Sequence, residues 1–213
     1  MQISAEIRWF WPETPPPSVE SWFCNIQGNI IRAGGGKVDR ADEYLRDEMI
    51  ELGIKRRGGE TNSGIEIKGL VVDQLSFLSE GPFVGPIELW TKWISSPLRF
   101  GEAPTIVVSK RRWLRKFDTS MALPREVELD TVGESKHGEP PLVRGCNVEL
   151  TRVKVSGLSE IWWTFGLEAY GTIQTAESDL REVAGTLNER QPPDLKGGLI
   201  AGYPAWLKKI LQR

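Results

Sequence analysis

Hydrophobic and polar residues alternate along much of this chain, and this alternation predicts a protein rich in β-strands. In the first segment, residues 3–11, polar side chains share one face and apolar side chains share the other. Glycine-containing turns indicate two hairpins. The predicted strands are residues 3–11, 54–57, 65–72, 86–94, 104–117, 147–155 and 161–170.

Helical spacing is found in fewer places. Residues 39–52 are predicted to form a helix, because Tyr44, Leu45, Met49 and Leu52 would lie near one side. Two further helices are predicted at residues 176–187 and 205–211. Residues 13–36, rich in proline and glycine, are predicted to form a long connection. No break in composition divides the chain, so we expect one domain over 1–213, with a β-rich part at about 1–172 and a helical segment at 175–213.

Composition excludes several classes of protein. The 213 residues include two cysteines and one histidine, His137, which rules out a disulfide scaffold, a cysteine-rich zinc module and a histidine-cluster metal site. The net charge of −2 argues against nucleic-acid binding, which depends on neutralised phosphates. The first residues carry no secretory signal pattern, and no apolar run is long enough to span a bilayer. We therefore expect a cytoplasmic protein without a membrane partner.

Charged residues recur inside the predicted strands, two residues apart and so on one face. The pairs are Glu6 with Arg8, Lys55 with Arg57, Glu66 with Lys68, and Lys110 with Arg112. Glu88, Trp90 and Lys92 share one face in the same way, and Glu149 and Glu168 each lie in an otherwise apolar strand.

Two structures explain this pattern. In an ordinary sheet, the charged face is simply solvated. In a closed barrel, the apolar faces point outward under helices and the charged faces line the lumen. A lumen that holds both carboxylates and basic groups is costly unless a charged ligand occupies it, and a polyphosphate with a divalent cation is such a ligand.

The order of these segments resembles the CYTH superfamily, the triphosphate tunnel metalloenzymes. Ser4, Glu6 and Arg8 stand where that family opens with Glu-x-Glu-x-Lys, and Lys55 and Arg57 stand at its Arg-x-Arg. The closing hairpin is similar, but Gly166 replaces its first glutamate and leaves Glu168. The other matching positions are Lys68, Lys110, Arg112 and Glu149.

The resemblance implies an α+β fold, an eight-stranded antiparallel β-barrel or tunnel at about residues 1–172 with helices packed outside. A triphosphate would lie in the lumen, and Mg²⁺ or Mn²⁺ would be held by Glu6, Glu149 and Glu168. Glu66 and Glu88 would be secondary candidates for the metal. Catalytic roles would fall to Glu168, Glu149 and Arg112. The triphosphate oxygens would be bound by Arg8, Lys55, Arg57, Lys68, Lys110, Arg112 and Arg115.

These expectations leave three functions open. The first is a metal-dependent triphosphatase acting on inorganic, nucleoside or thiamine triphosphate, or a related nucleotidyl cyclase. The second, favoured by the missing carboxylates at Ser4 and Gly166, is a non-catalytic module that binds a nucleotide or polyphosphate. The third is a nucleic-acid-binding barrel, suggested by the basic run with a tryptophan at residues 111–116. The oligomeric state stays open.

Overall fold

The structure, a computed structural model, describes residues 1–26, 39–46, 49–58, 64–130 and 142–212. Within these ranges the chain forms one antiparallel sheet of eight long strands and two short ones. In chain order, the strands are β1 (Gln2–Pro12), β2 (Arg40–Leu45), β3 (Leu52–Arg57), β4 (Ile65–Glu80), β5 (Phe83–Ser95), β6 (Thr105–Asp118), β7 (Arg125–Glu126), β8 (Gly145–Val155), β9 (Ile161–Gly171) and β10 (Leu199–Ile200).

The sheet closes on itself through β1. Residues Gln2 to Glu6 of this strand pair with β5, and residues Ile3 to Pro12 pair with β9. The neighbours around the barrel are β1, β5, β4, β3, β2, β6, β8 and β9, which pairs with β1 again. The predicted eight-stranded antiparallel barrel is therefore confirmed. Closure places alternate side chains of every long strand inside the lumen.

One predicted element is wrong. The helix predicted at residues 39–52 is contradicted, because β2 covers Arg40–Leu45 and β3 begins at Leu52, with residues 47 and 48 outside the described ranges. Apolar residues at helical spacing favoured a helix, but the alternation of Arg40, Asp42 and Tyr44 suits a strand equally well. Pairing of β2 with both β3 and β6 decides the outcome, since it satisfies the backbone on both sides.

Three helices lie in the described part of the chain, and all pack outside the strands. They are α1 (Pro17–Asn25), α2 (Ala176–Asn188) and α3 (Tyr203–Leu211). The helices predicted at residues 176–187 and 205–211 are confirmed. None of the described helices combines the length and the apolarity that crossing a bilayer requires.

Helices α1 and α2 cover the outer wall of the barrel. Val19 and Phe23 of α1 join Leu180 and Val183 of α2 in a core with outward-facing residues of β1, β8 and β9. The long connection predicted over residues 13–36 contains helix α1, which the prediction missed, and residues 27–36 lie outside the described ranges. Pro17 suits the first turn of a helix, and α1 buries Val19 and Phe23, which lie four residues apart.

Helix α3 packs across one end of the barrel and forms a second core with lumen-facing side chains. Trp206 stacks on Phe10 of β1, with ring centroids 4.7 Å apart, and meets the edge of Trp162 of β9 at 5.8 Å. Val108 and Val153, which also face inward, complete this core. The lumen is therefore apolar beside α3 and charged beyond it.

Replacing Trp206 with alanine should lower the free energy of unfolding by about 3–5 kcal/mol, because the fully buried ring would leave a cavity between α3 and the barrel. Urea unfolding followed by circular dichroism measures this. Trp93, which is 42% exposed, provides the matched control, and Trp93→Ala should cost clearly less. Equal losses in the two variants would contradict the role given to α3.

Candidate functional site

A cavity of about 800 Å³ occupies the charged part of the barrel lumen. Its volume is typical of a small-molecule site. Tyr203 and Pro204, from the first turn of α3, line part of it. We call it the lumen cavity. Its charged lining residues in the described part of the chain are Arg8, Arg40, Lys55, Arg57, Lys68, Lys92, Lys110, Arg112 and Lys116, together with Glu6, Asp39, Glu66, Glu149 and Glu168.

Strand alternation placed most of the candidate residues correctly. All three expected metal ligands, Glu6, Glu149 and Glu168, line the lumen cavity. Six of the seven expected anion-binding residues do so as well, namely Arg8, Lys55, Arg57, Lys68, Lys110 and Arg112. Of the secondary candidates, Glu66 lines the cavity, whereas Glu88 accepts hydrogen bonds from Trp90 Nε1 and the Gly202 amide.

Arg115 was placed wrongly. It is three residues from Arg112 and therefore lies on the opposite face of β6, fully buried against α1. Its guanidinium donates to the carbonyl oxygens of Phe23 at 3.0 Å and Ile26 at 2.8 Å, and to Glu126 at 2.6 Å. Arg115 thus anchors the end of α1 on the outer wall and does not reach the lumen.

Several lumen residues were missed. Lys116 has the same parity as Lys110 and Arg112, so strict alternation would have selected it in place of Arg115. Arg40 and Asp42 were hidden by the wrongly predicted helix. Tyr203 carried no local signal, because its position depends on how α3 packs on the end of the barrel. His137 lies outside the described residues.

Glu149 accepts hydrogen bonds from two arginine side chains and one hydroxyl group in the lumen. Arg112 donates to it at 2.6 Å, Thr151 Oγ1 at 2.8 Å and Arg8 Nη1 at 3.4 Å. Burial alone would raise the pKa of Glu149, but the attraction of Arg112 and Arg8 outweighs it and lowers the pKa well below its usual value. Glu149 is therefore ionised and neutralised by two arginines.

Glu6 and Glu168 face each other across β1 and β9 and share Lys68. The Lys68 ammonium donates to Glu6 and lies 3.9 Å from Glu168 Oε1, and Ser4 Oγ also donates to Glu6. Burial opposes the charge on Lys68, but both glutamates raise its pKa. Burial likewise opposes the charge on Glu168. The attraction of Lys68, followed by the smaller attraction of Lys92, nevertheless lowers the pKa of Glu168. Lys68 is thus the shared counter-ion of these two carboxylates, and its single charge offsets one of their two negative charges.

A third ion-pair group joins β2, β3, β4 and β6. Glu66 pairs with Lys55 and Arg57, each at 3.1 Å. Asp42 pairs with Lys110 at 3.0 Å and Lys55 at 3.5 Å. Burial would raise the pKa of both carboxyls, yet the lysines lower it in each case.

Lys110 is the most perturbed cation of the lumen cavity. Its ammonium donates to Tyr44 Oη at 2.8 Å and lies 4.2 Å from the centre of the Tyr203 ring. Burial lowers the pKa of Lys110 to about 7, although Asp42 opposes this shift. The charge of the lumen therefore changes by one unit near neutral pH.

The three expected metal ligands do not fit Mg²⁺ or Mn²⁺ in this arrangement. Such ions need several carboxylate or water oxygens around one point. Glu6 and Glu149 instead accept from lysine and arginine, and Glu168 lies 3.9 Å from the Lys68 ammonium. Over the described ranges of the chain, no group of three or more histidine, cysteine, aspartate or glutamate side chains could hold a metal ion.

Comparison of the chain with protein-family models gives no match, and a search of curated proteins gives none either. Membership of the CYTH superfamily therefore stays a prediction that rests on the motifs and their order. The fold and the charged lumen cavity are observed in the structure and do not depend on these comparisons.

Replacing Arg115 with methionine should lower the free energy of unfolding by about 3 kcal/mol or more, because two buried carbonyl groups and Glu126 lose a charged donor. Arg111, exposed on the same strand, gives the matched control, and Arg111→Met should change stability by about 0.5 kcal/mol or less. Urea unfolding of both variants tests this. A stable Arg115→Met protein would argue against its role as an anchor of α1.

Proposed function

We propose that the protein binds a small molecule carrying a triphosphate in the lumen cavity. The observation that carries this proposal is the excess of basic over acidic side chains around a partly enclosed space, in a chain whose net charge is −2. A cleft with an excess of one charge, enclosed by low-dielectric walls, concentrates ligands of the opposite charge. A polyanion is the class of ligand that this surplus matches.

The basic groups suit phosphate oxygens in chemistry as well as in sign. Arginine offers planar, bidentate donors, and lysine offers a compact point charge. Lys92 is especially informative, because in the described part of the chain it forms no ion pair within 4.0 Å and yet lines the cavity. A ligand could engage Lys92 without breaking an internal pair.

Hydrolysis with Mg²⁺ or Mn²⁺, and the cyclase variant, are a second proposal that follows from the family resemblance, and they require the ion to displace the lysine and arginine partners of Glu6, Glu149 and Glu168. Incubation with tripolyphosphate, ATP, GTP and thiamine triphosphate, followed by mass spectrometry, tests it beside Glu168→Ala. Orthophosphate formed only by the unmodified protein would establish a hydrolase, and a cyclic nucleotide with pyrophosphate a cyclase. Absence of any product would leave a binding protein.

Lys92→Gln should weaken the binding of inorganic tripolyphosphate by about 10- to 100-fold, the loss expected for one hydrogen bond to a charged group. Isothermal titration calorimetry measures the affinity. Lys209 is exposed on α3, so Lys209→Gln removes the same charge away from the cavity and should leave the affinity within about twofold. Equal effects of the two substitutions, or no binding by the unmodified protein, would contradict a lumen site.

Lys110 should make the affinity depend on pH. The unmodified protein carries this charge below about pH 7 and loses it as the pH rises further, whereas Lys110→Met never carries it. The advantage of the unmodified protein over Lys110→Met should therefore be about 10- to 100-fold at pH 6 and should decline as the pH rises above 7. Comparing the two proteins at each pH cancels the ionisation of tripolyphosphate itself.

This substitution leaves Asp42 beside Lys55 and Arg40, so it does not strand a buried carboxylate. Calorimetry at several pH values measures the ratio of the two affinities. A ratio that stays constant up to pH 9 would show that Lys110 does not titrate in this range or does not contact the anion.

A further inference from the structure

The Arg8 guanidinium lies in a space that glycine at position 166 leaves open. Gly166 lies directly opposite Arg8 on β1 and Glu149 on β8. A Cβ atom on Gly166 would lie 2.7 Å from Arg8 Cζ, closer than a Cβ atom packs, and 3.0 Å from its Nε and Nη2, so the flexible end of Arg8 would have to shift. The guanidinium therefore rests against the backbone of β9, where any side chain would displace it.

Contacts on several sides hold Arg8 in this place. Its Nη1 atom lies 3.4 Å from both Glu149 Oε1 and Thr164 Oγ1, and its Cζ atom lies 5.0 Å from the centre of the Tyr203 ring. Burial works against the charge of Arg8, but the neighbouring carboxylates, Glu149 foremost, raise its pKa. Arg8 is thus a permanent cation in the wall of the lumen cavity.

The lumen carboxylates already have cations. Arg8 and Arg112 form ion pairs with Glu149, and Lys68 forms ion pairs with Glu6 and Glu168. A divalent ion would have to displace these groups from within an enclosed space, at the cost of leaving buried lysine or arginine unpaired. A polyanion is attracted by these cations, although it competes with their carboxylates, and it also meets Lys92, which forms no ion pair within 4.0 Å in the described part of the chain.

We propose that the lumen cavity binds a polyphosphate in its metal-free form, with the Arg8 guanidinium at Gly166 supplying positive charge that a divalent cation would otherwise bring. This proposal rests on the proposed function and specifies the ionic form of its ligand. A magnesium complex carries less negative charge than the free anion, so it should be the weaker ligand.

Calorimetry on the unmodified protein tests this without any substitution. Inorganic tripolyphosphate is titrated once in EDTA and once with Mg²⁺ in excess, and MnCl₂ is titrated alone. We expect tripolyphosphate to bind in EDTA and to bind with an affinity at least threefold lower when Mg²⁺ is present. The titration with MnCl₂ alone should show no saturable binding. Binding that requires Mg²⁺ would overturn this inference and leave the proposed function intact. No binding in either condition would overturn both.

Two substitutions examine the guanidinium itself. Arg8→Met should weaken binding in EDTA by about 10- to 100-fold, and Mg²⁺ should no longer weaken it further. Gly166→Ala keeps the charge but moves the guanidinium, so it should lower affinity in EDTA by a smaller factor. Circular dichroism establishes whether each variant is folded. If Arg8→Met does not fold, Gly166→Ala and the metal titrations still test the inference. Unchanged affinity in a folded Gly166→Ala would overturn the placement of Arg8.

Discussion

Mutual neutralisation of charges inside a closed barrel is the interaction on which this structure depends. Closure of the sheet through β1 turns one face of every strand inward, and on most strands that face carries charge. A charge taken out of water is costly unless a counter-charge lies within a few ångströms. Two carboxylates show how this requirement is met. Glu149 lies between Arg112 and Arg8, and Asp42 lies between Lys110 and Lys55.

The same requirement explains why the molecule has two apolar cores rather than one. The lumen cannot serve as the main core, so the outer wall does, under α1 and α2. Only the end covered by α3 has apolar lumen residues, among them Phe10 and Val108. Helix α3 thereby covers the apolar end of the barrel, and the charged part of the lumen lies beyond it. Tyr203, at the boundary, presents its ring to both Lys110 and Arg8.

Much of this arrangement followed from the alternation of residue types, because a strand's inward and outward faces are fixed by a period of two. That rule placed Glu6 and Lys68 on charged strand faces, and the family resemblance placed those faces, together with Glu168, in a lumen. The error at Arg115 arose because the rule was not applied there. Arg115 was chosen because it lies near Arg112 in the sequence, although alternation places its side chain on the outer wall.

Other features had no local signal. The segment containing Arg40 and Asp42 fits a helix and a strand equally well, and only pairing with β3 and β6 selects the strand. The position of Tyr203 depends on tertiary packing across the whole barrel. The role of Gly166 was visible only as a missing glutamate, because the guanidinium that fills its space comes from a strand more than 150 residues earlier in the chain.

Internal pairing also determines what kind of ligand such a cavity can select. The affinity for an anion is a difference between its new contacts and the ion pairs that it disturbs. A single phosphate would reach only a few basic groups and would compete with carboxylates that already hold them, so its net gain is small. A chain of phosphates spans several cations at once, including Lys92, and each further contact adds to the same binding event. On the proposed function, the paired lumen would therefore discriminate by charge number and length, which favours a polyphosphate over a single phosphate.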